Sequence, residues 1–140
     1  MIVGLDHVQV AAPAGCEEDA WAFYGVLLGL EEIEKPPLLA ARGGAWFRVG
    51  DQQLHVGVAD GFGPATKAHP AFRVSSAASL EMLAARLEAH GYAVSRPSQE
   101  EIPGTLRLHS STRGETASSS SPEAPGASSR EGFAACGLTP

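Results

Sequence analysis

The sequence predicts an α+β protein built from two copies of one β-α-β-β module, with a further strand in the first copy. Three observations carry this expectation. His7 and His69 each open a strand that leads into a helix, and Gly29 and Gly91 follow them at the same separation. Within each half the apolar pattern passes from alternation to helical spacing and back. With 140 residues, 44% of them hydrophobic, the chain is long enough for one domain with a real core.

The elements follow in order. Ile2 to Ala11 reads as a strand with Val8 and Val10 on one face and Leu5, His7 and Gln9 on the other. Pro13 and Gly15 break it. Glu17 to Leu28 is a helix, because Ala20, Phe23, Tyr24 and Leu27 fall on one stripe and Glu17, Glu18 and Asp19 suit its N-terminal dipole. Gly29 stops it, and Glu31 to Ala41 is expected to be an extended edge segment, irregular at Pro36 and Pro37. Ala45 to Val49 and Gln53 to Val58 alternate around Gly50 and Asp51, which predicts a hairpin. Its apolar face holds Phe47, Val49, Leu54, Val56 and Val58, while Trp46, Arg48, Gln53, His55 and Gly57 point the other way.

Asp60 to Ala68 reads as a linker. His69 to Val74 then repeats the strand, and Ala77 to His90 the helix, with Leu80, Leu83, Ala84 and Leu87 on its buried stripe. Pro70 cannot donate to a ladder, so the strand can start there and leave His69 at its mouth. Gly91 caps the helix, and His90 beside it suits the helix C-terminus. Tyr92 to Ser95 and Thr105 to His109 complete the pattern as short strands.

After Ser110 the composition changes. Ser111 to Ser129 is dominated by Ser, Gly, Pro, Ala and Thr, without apolar periodicity, so 111–140 reads as a disordered tail behind a domain of residues 1–110. A sharper expectation comes from the codon table. Joining the third base of each codon from Ser111 to Ser118 with the first two of the next lets allowed codons spell D-P-W-G-N-R-L-E, a glycine turn and the start of an amphipathic strand. This predicts a one-nucleotide frameshift near Ser110 and a second module lacking its last strand; resequencing the gene tests it. A natural serine-rich tail is the rival reading.

Charge narrows the partners. Ten basic and 16 acidic residues leave a net charge of −6 and no basic stripe, which argues against nucleic acid and anionic membranes. Asp6, His7 and Gln9 interrupt the first apolar run, no stretch is long enough to span a bilayer, and a cytoplasmic protein is expected. Cys16 and Cys136 are too few for a disulfide framework and lack zinc-type spacing. No nucleophile elbow and no glycine-rich phosphate loop is present. Two histidines on the first strands of repeated halves instead place two imidazoles near a pseudo-twofold axis, where a divalent metal can sit.

The blocks Gly4-Leu5-Asp6-His7-Val8-Gln9-Val10, Ala22-Phe23-Tyr24, Leu27-Leu28-Gly29-Leu30, Gln53-Leu54-His55-Val56, His69-Pro70-Ala71-Phe72-Arg73-Val74 and Leu87-Glu88-Ala89-His90-Gly91, in that order, resemble the vicinal oxygen chelate superfamily. That superfamily includes glyoxalase I, bleomycin- and fosfomycin-resistance proteins and extradiol dioxygenases. The resemblance implies two βαβββ modules whose sheets curl around a central cleft, and a metal-dependent lyase, isomerase or dioxygenase acting on a small oxygenated molecule. It implies Fe, Mn, Ni or Zn held by His7 and His69, with His55 or Gln53 in the region of a further ligand and a carboxylate from the last strand. That carboxylate is absent in the translated frame, and Glu115 and Glu123 are poor substitutes, so the chain can be a crippled product. Gln9, Trp46, Arg48, Gln53, Arg73 and Arg107 are the expected substrate-binding residues, arginine forks matching carboxylate or phosphate oxygens; arginines lying over an open sheet are the plain alternative. His109 shares Arg107's face. A homodimer is implied by the resemblance alone. The alternative function is a metal-free protein that sequesters a small molecule, although 6% aromatic residues make a stacking-based trap sparse.

Overall fold

The computed structural model describes residues 1–65, 67–111 and 136–139. In the first module β1 (His7–Ala12) leads into α1 (Glu17–Ala20), which continues as a π-helical segment (Trp21–Leu27). β2 (Glu31–Ile33), a short α2 (Pro37–Ala40), β3 (Ala45–Val49) and β4 (Gln52–Val58) follow. The second module runs through β5 (Ala71–Arg73), α3 (Ala77–Ala89), β6 (Ala93–Ser95), β7 (Leu108–Ser111) and β8 (Cys136–Thr139). The strands form two four-stranded sheets of order β1-β4-β3-β2 and β5-β8-β7-β6. In each, the first strand lies parallel to the last, and the remaining pairs are antiparallel. This is the predicted α+β architecture of two βαβββ modules.

One core joins the modules. The inward rows of the first sheet (Val10, Ala12, Phe47, Leu54, Val56) and of the second (Leu108, Leu138) belong to one buried cluster with Phe23, Tyr24 and Leu27 and with Leu80, Ala84 and Leu87. Aromatic packing runs through it: the Tyr24 ring lies 5.6 Å from Phe47, and Phe23 lies 5.1 Å from Tyr92 behind α3. Arg86 on α3 donates to the Leu27 carbonyl at 3.1 Å, satisfying a carbonyl at the end of the π-helical segment. α3 itself starts on Ser76, whose hydroxyl accepts the Ser79 amide at 3.1 Å, and ends with His90 Nδ1 donating to the Arg86 carbonyl.

Four local features differ from expectation. Leu38 to Ala40 turn helical instead of extending, because a proline at a helix start has the right φ and no amide to orphan. β5 is shorter than the predicted strand, only Ala71–Arg73, with His69 before it, at the mouth that Pro70 was expected to leave. β7 begins at Leu108, after a turn closed by the Thr105 amide on the Ile102 carbonyl. The place of the last strand is taken by Cys136–Thr139, a four-residue stub between β5 and β7 anchored by Leu138, which is 2% exposed. Two bare edges flanking that slot make even a short segment worth pairing. The rest of the tail, with most of the shifted-frame stretch, lies outside the described residues.

The Gly43-Gly44 pair fixes where β3 begins. Both residues have positive φ, and the Gly44 amide donates to Glu17 Oε1 at 2.6 Å, tying the first turn of α1 to the sheet. A Cβ on Gly44 would run into the Val56 carbonyl, a backbone group that cannot step aside because Val56 pairs with Ala45. Gly44→Ala is therefore expected to destabilise the fold by about 1–3 kcal/mol from backbone conformation alone, and more from the clash. A urea titration reads it; a midpoint equal to wild type would refute the constraint.

Candidate functional site

The first cluster forms on the face of the first sheet turned away from the core. β1 and β4 run parallel with His7 opposite Gln53 and Gln9 opposite His55, while β3 sets Trp46 opposite His55. Three rings stack as a result. His7 lies 4.2 Å from His55 at 15° between planes, and His55 lies 3.8 Å from Trp46 at 3°. That stack leaves His55 only 7% exposed, on a face that alternation marks as polar.

Hydrogen bonds fix the imidazoles. His7 Nδ1 lies 2.7 Å from Asp6 Oδ1. A carboxylate only accepts, so the proton is on Nδ1 and the Nε2 lone pair is free. His55 Nε2 donates to Gln53 Oε1 at 2.8 Å. Gln9 packs over Gly57, where an added Cβ would lie 3.0 Å from the Gln9 amide carbon. Arg48 is held at 3.0 Å by Glu31 in an exposed pair, a weak tie that a ligand can displace.

The second cluster forms where the second module begins. His69 Nδ1 donates to the Lys67 carbonyl at 2.8 Å, again leaving Nε2 free. The His109 ring on β7 stands 5.0 Å away at 66°. Arg107, beside His109, pairs with Glu101 at 2.8 Å and is largely buried. A cleft of about 630 Å³ lies between the modules, lined by Leu5, Val8, Gln53, His69 and Arg73 among others.

Burial pushes the pKa of His55 below the ordinary histidine value, with His7 adding to the effect. Burial also lowers His109, followed by His69 and Arg107. Each group thus binds its proton less well folded than unfolded. Their stability contribution is present above the unfolded pKa of about 6.5 and is lost as pH falls through the window between that value and the lower folded one. Unfolding midpoints measured from pH 7.5 to 5 are expected to fall, and His55→Gln to flatten part of that fall; an unchanged slope in the variant would contradict the assignment. Cys16 is buried, and burial raises its thiol pKa, with Glu17 adding to it, so it is an unreactive core thiol.

Of the expected site residues, the structure brings His7, Gln9, Trp46, Gln53 and His55 onto one face, and His69, Arg73 and Gln53 around one cleft. His7 and His69 belong to different clusters. Among the described residues, no three His, Cys, Asp or Glu side chains gather as a metal-holding group. Sequence reasoning missed the Asp6 contact to His7, which adjacency in the chain already offers, and the pairing of His69 with His109, which depends on a strand register no local pattern reveals. Among the described residues, no helix is long and apolar enough to cross a membrane.

No model of a protein family matches the sequence, and no curated protein does. Solved structures do. The chain is similar to a glyoxalase family protein from Bacillus anthracis at 37% identity and a TM-score of 0.75, the match covering 100% of this chain and 98% of that one. It is similar to the fosfomycin resistance protein FosX from Listeria monocytogenes at 15% identity and a TM-score of 0.62, over 99% of this chain and 94% of that one. Lactoylglutathione lyase from Agrobacterium tumefaciens aligns at 18% identity and a TM-score of 0.61, over 98% and 94%. The last two share the fold at identities too low to carry more.

Proposed function

This chain belongs to the glyoxalase family of the vicinal oxygen chelate superfamily, and from that premise we propose that it is a divalent-metal-dependent lyase, isomerase or dioxygenase acting on a small oxygenated molecule. The observation that carries the reading is shared by both candidate ligands. His7 and His69 each have Nδ1 tied to an oxygen acceptor and Nε2 open, the arrangement that orients a metal-binding imidazole. Each ring therefore offers one nitrogen to a metal, from two separate clusters. Bound Fe, Mn, Ni or Zn would act as a Lewis acid toward adjacent substrate oxygens.

The chain's own groups divide the remaining work. Asp6 and the Lys67 carbonyl hold the two rings in the tautomer that leaves Nε2 outward. Trp46, backed by the buried His55 ring, gives the substrate a flat surface, and Gln9 and Gln53 offer amide donors and acceptors beside it. Arg73 and, once released from Glu31, Arg48 would fix an anionic substrate group. Because His7 and His69 lie in separate clusters, a second copy of the chain completes the site in this reading. The outer edge of β1, unpaired among the described residues, and the exposed Ile2, Val3 and Leu5 leading into it support a homodimer. A cytoplasmic location goes with this function.

Metal analysis of the purified protein beside the frame-restored version tests the proposal. Stoichiometric metal, removed by chelator and restored by Zn²⁺ or Mn²⁺, supports it; metal in neither form under saturating supply overturns it. The stacked Trp46 and His55 rings favour one second reading, a metal-free protein that sequesters a small aromatic molecule. Ligand binding that survives chelation would select that reading.

A further inference from the structure

We propose that the Glu101 carboxylate is a built-in stand-in for an oxyanion of the substrate, resting on an anion seat formed by Arg107 and Arg73. The inference rests on the small-molecule reading above and names the chemical class it leaves open, a substrate carrying a carboxylate or phosphonate group. Its ground is a half-filled guanidinium. Arg107 Nη2 donates to Glu101 Oε2 at 2.8 Å, while Arg107 Nε is buried and, among the described residues, has no partner. Nε and Nη2 share the edge that grips two oxygens of one carboxylate or phosphonate. Glu101 therefore fills one prong and leaves the other empty. A buried donor left unpaired costs free energy, which a ligand supplying both oxygens would recover.

Strand register supplies the second arginine. β5 pairs Arg73 with Thr139 of β8, and β7 pairs Leu108 with Leu138, so the same register sets Arg107 level with Thr139 on its other side. Leu108, Leu138 and Phe72 pack on the core, and alternation turns Arg107, Thr139 and Arg73 to the opposite face. Two arginines thus flank one hydroxyl-bearing residue, their backbones two strand spacings, about 10 Å, apart. Arg73 is exposed and lines the cleft between the modules. His109 stands on the same face, and after burial itself, His69 and Arg107 do most to hold back its protonation. The neighbourhood is short of negative charge, and Glu101 supplies some. Its side chain is 61% exposed and its tie to Arg107 is a single contact, so an incoming oxyanion can displace it.

The test uses the full chain in chelator, so its failure and that of the metal-dependent reading are separate results. Methylphosphonate and propionate are titrated in turn while the ¹⁵N-labelled arginine Nε signals are followed. The Arg107 Nε signal is expected to shift with at least one of them, and the tighter anion names the group. Arg107→Lys keeps the charge without the fork and should weaken binding at least about tenfold, as should Arg73→Gln. Glu101→Gln should tighten it by up to about fivefold, because the internal competitor is gone. A purely structural tie between Arg107 and Glu101 predicts otherwise. Equal or weaker binding in Glu101→Gln would overturn the stand-in, and wild-type affinity in either arginine variant would overturn the seat. Should Arg107→Lys fail to fold, the wild-type Nε shift and the Glu101→Gln affinity still decide. No response to either anion would overturn the inference and leave the metal analysis to judge the reading beneath it.

Discussion

His7→Ala and His69→Ala are each expected to lower divalent-metal affinity by more than about 100-fold, beyond what loss of an outer hydrogen-bond partner costs. The reason is local. Each substitution removes an imidazole whose Nδ1 is committed to Asp6 or to the Lys67 carbonyl and whose Nε2 is the nitrogen left for a metal. Asp6→Asn is a milder probe, expected to cost about 10–100-fold, since His7 keeps its place but loses the carboxylate that fixes its tautomer and ring orientation. Mixing the two alanine variants tests assembly between chains. In a homodimer with shared sites, half the dimers are mixed and each keeps one site with both histidines, so about a quarter of the sites should return. Recovery of none, measured by metal content of the unfolded and refolded mixture, would place both histidines of each site in one chain.

Leu138→Ala is expected to destabilise the protein by about 2–5 kcal/mol, as for other large-to-small changes in a packed interior. Leu138 is the buried anchor of β8 and joins the core against which α3 packs. If the stub were an incidental contact, the substitution would leave the urea midpoint within error of wild type. Loss of the stub also unpairs the facing edges of β5 and β7, so aggregation measured by light scattering should rise with the same variant.

Much of the fold is legible in the residues because alternation and helical spacing are local. The β3-β4 hairpin follows from apolar alternation on either side of Gly50 and Asp51, and its buried Phe47, Leu54 and Val56 lie on the face the pattern assigns. α3 follows from Leu80, Ala84 and Leu87 at helical spacing before Gly91. The helical turn at Pro37 was not legible, since the same proline that starts a helix also breaks a strand. β8 was hidden for a different reason: Cys-Gly-Leu-Thr is too short to show a period and derives its structure from the two edges that receive it. For the candidate site, His7 and His69 stand out by spacing alone. Their neighbours His55, Trp46 and His109 are brought to them by strand register, which depends on the whole sheet and not on adjacent residues.

The parallel pairing of first and last strands sets a timetable for synthesis. The first sheet can close once Val58 has emerged, with β1 waiting beside no partner until β4 arrives. β5 waits far longer, because its neighbour β8 lies beyond all the rest of the second module. During that interval α3 has half a sheet to pack on, and the second module is held by the first through Tyr92 and Arg86. The earlier module thus acts as an internal template for the later one, and folding of the second half is completed only after translation has passed Thr139.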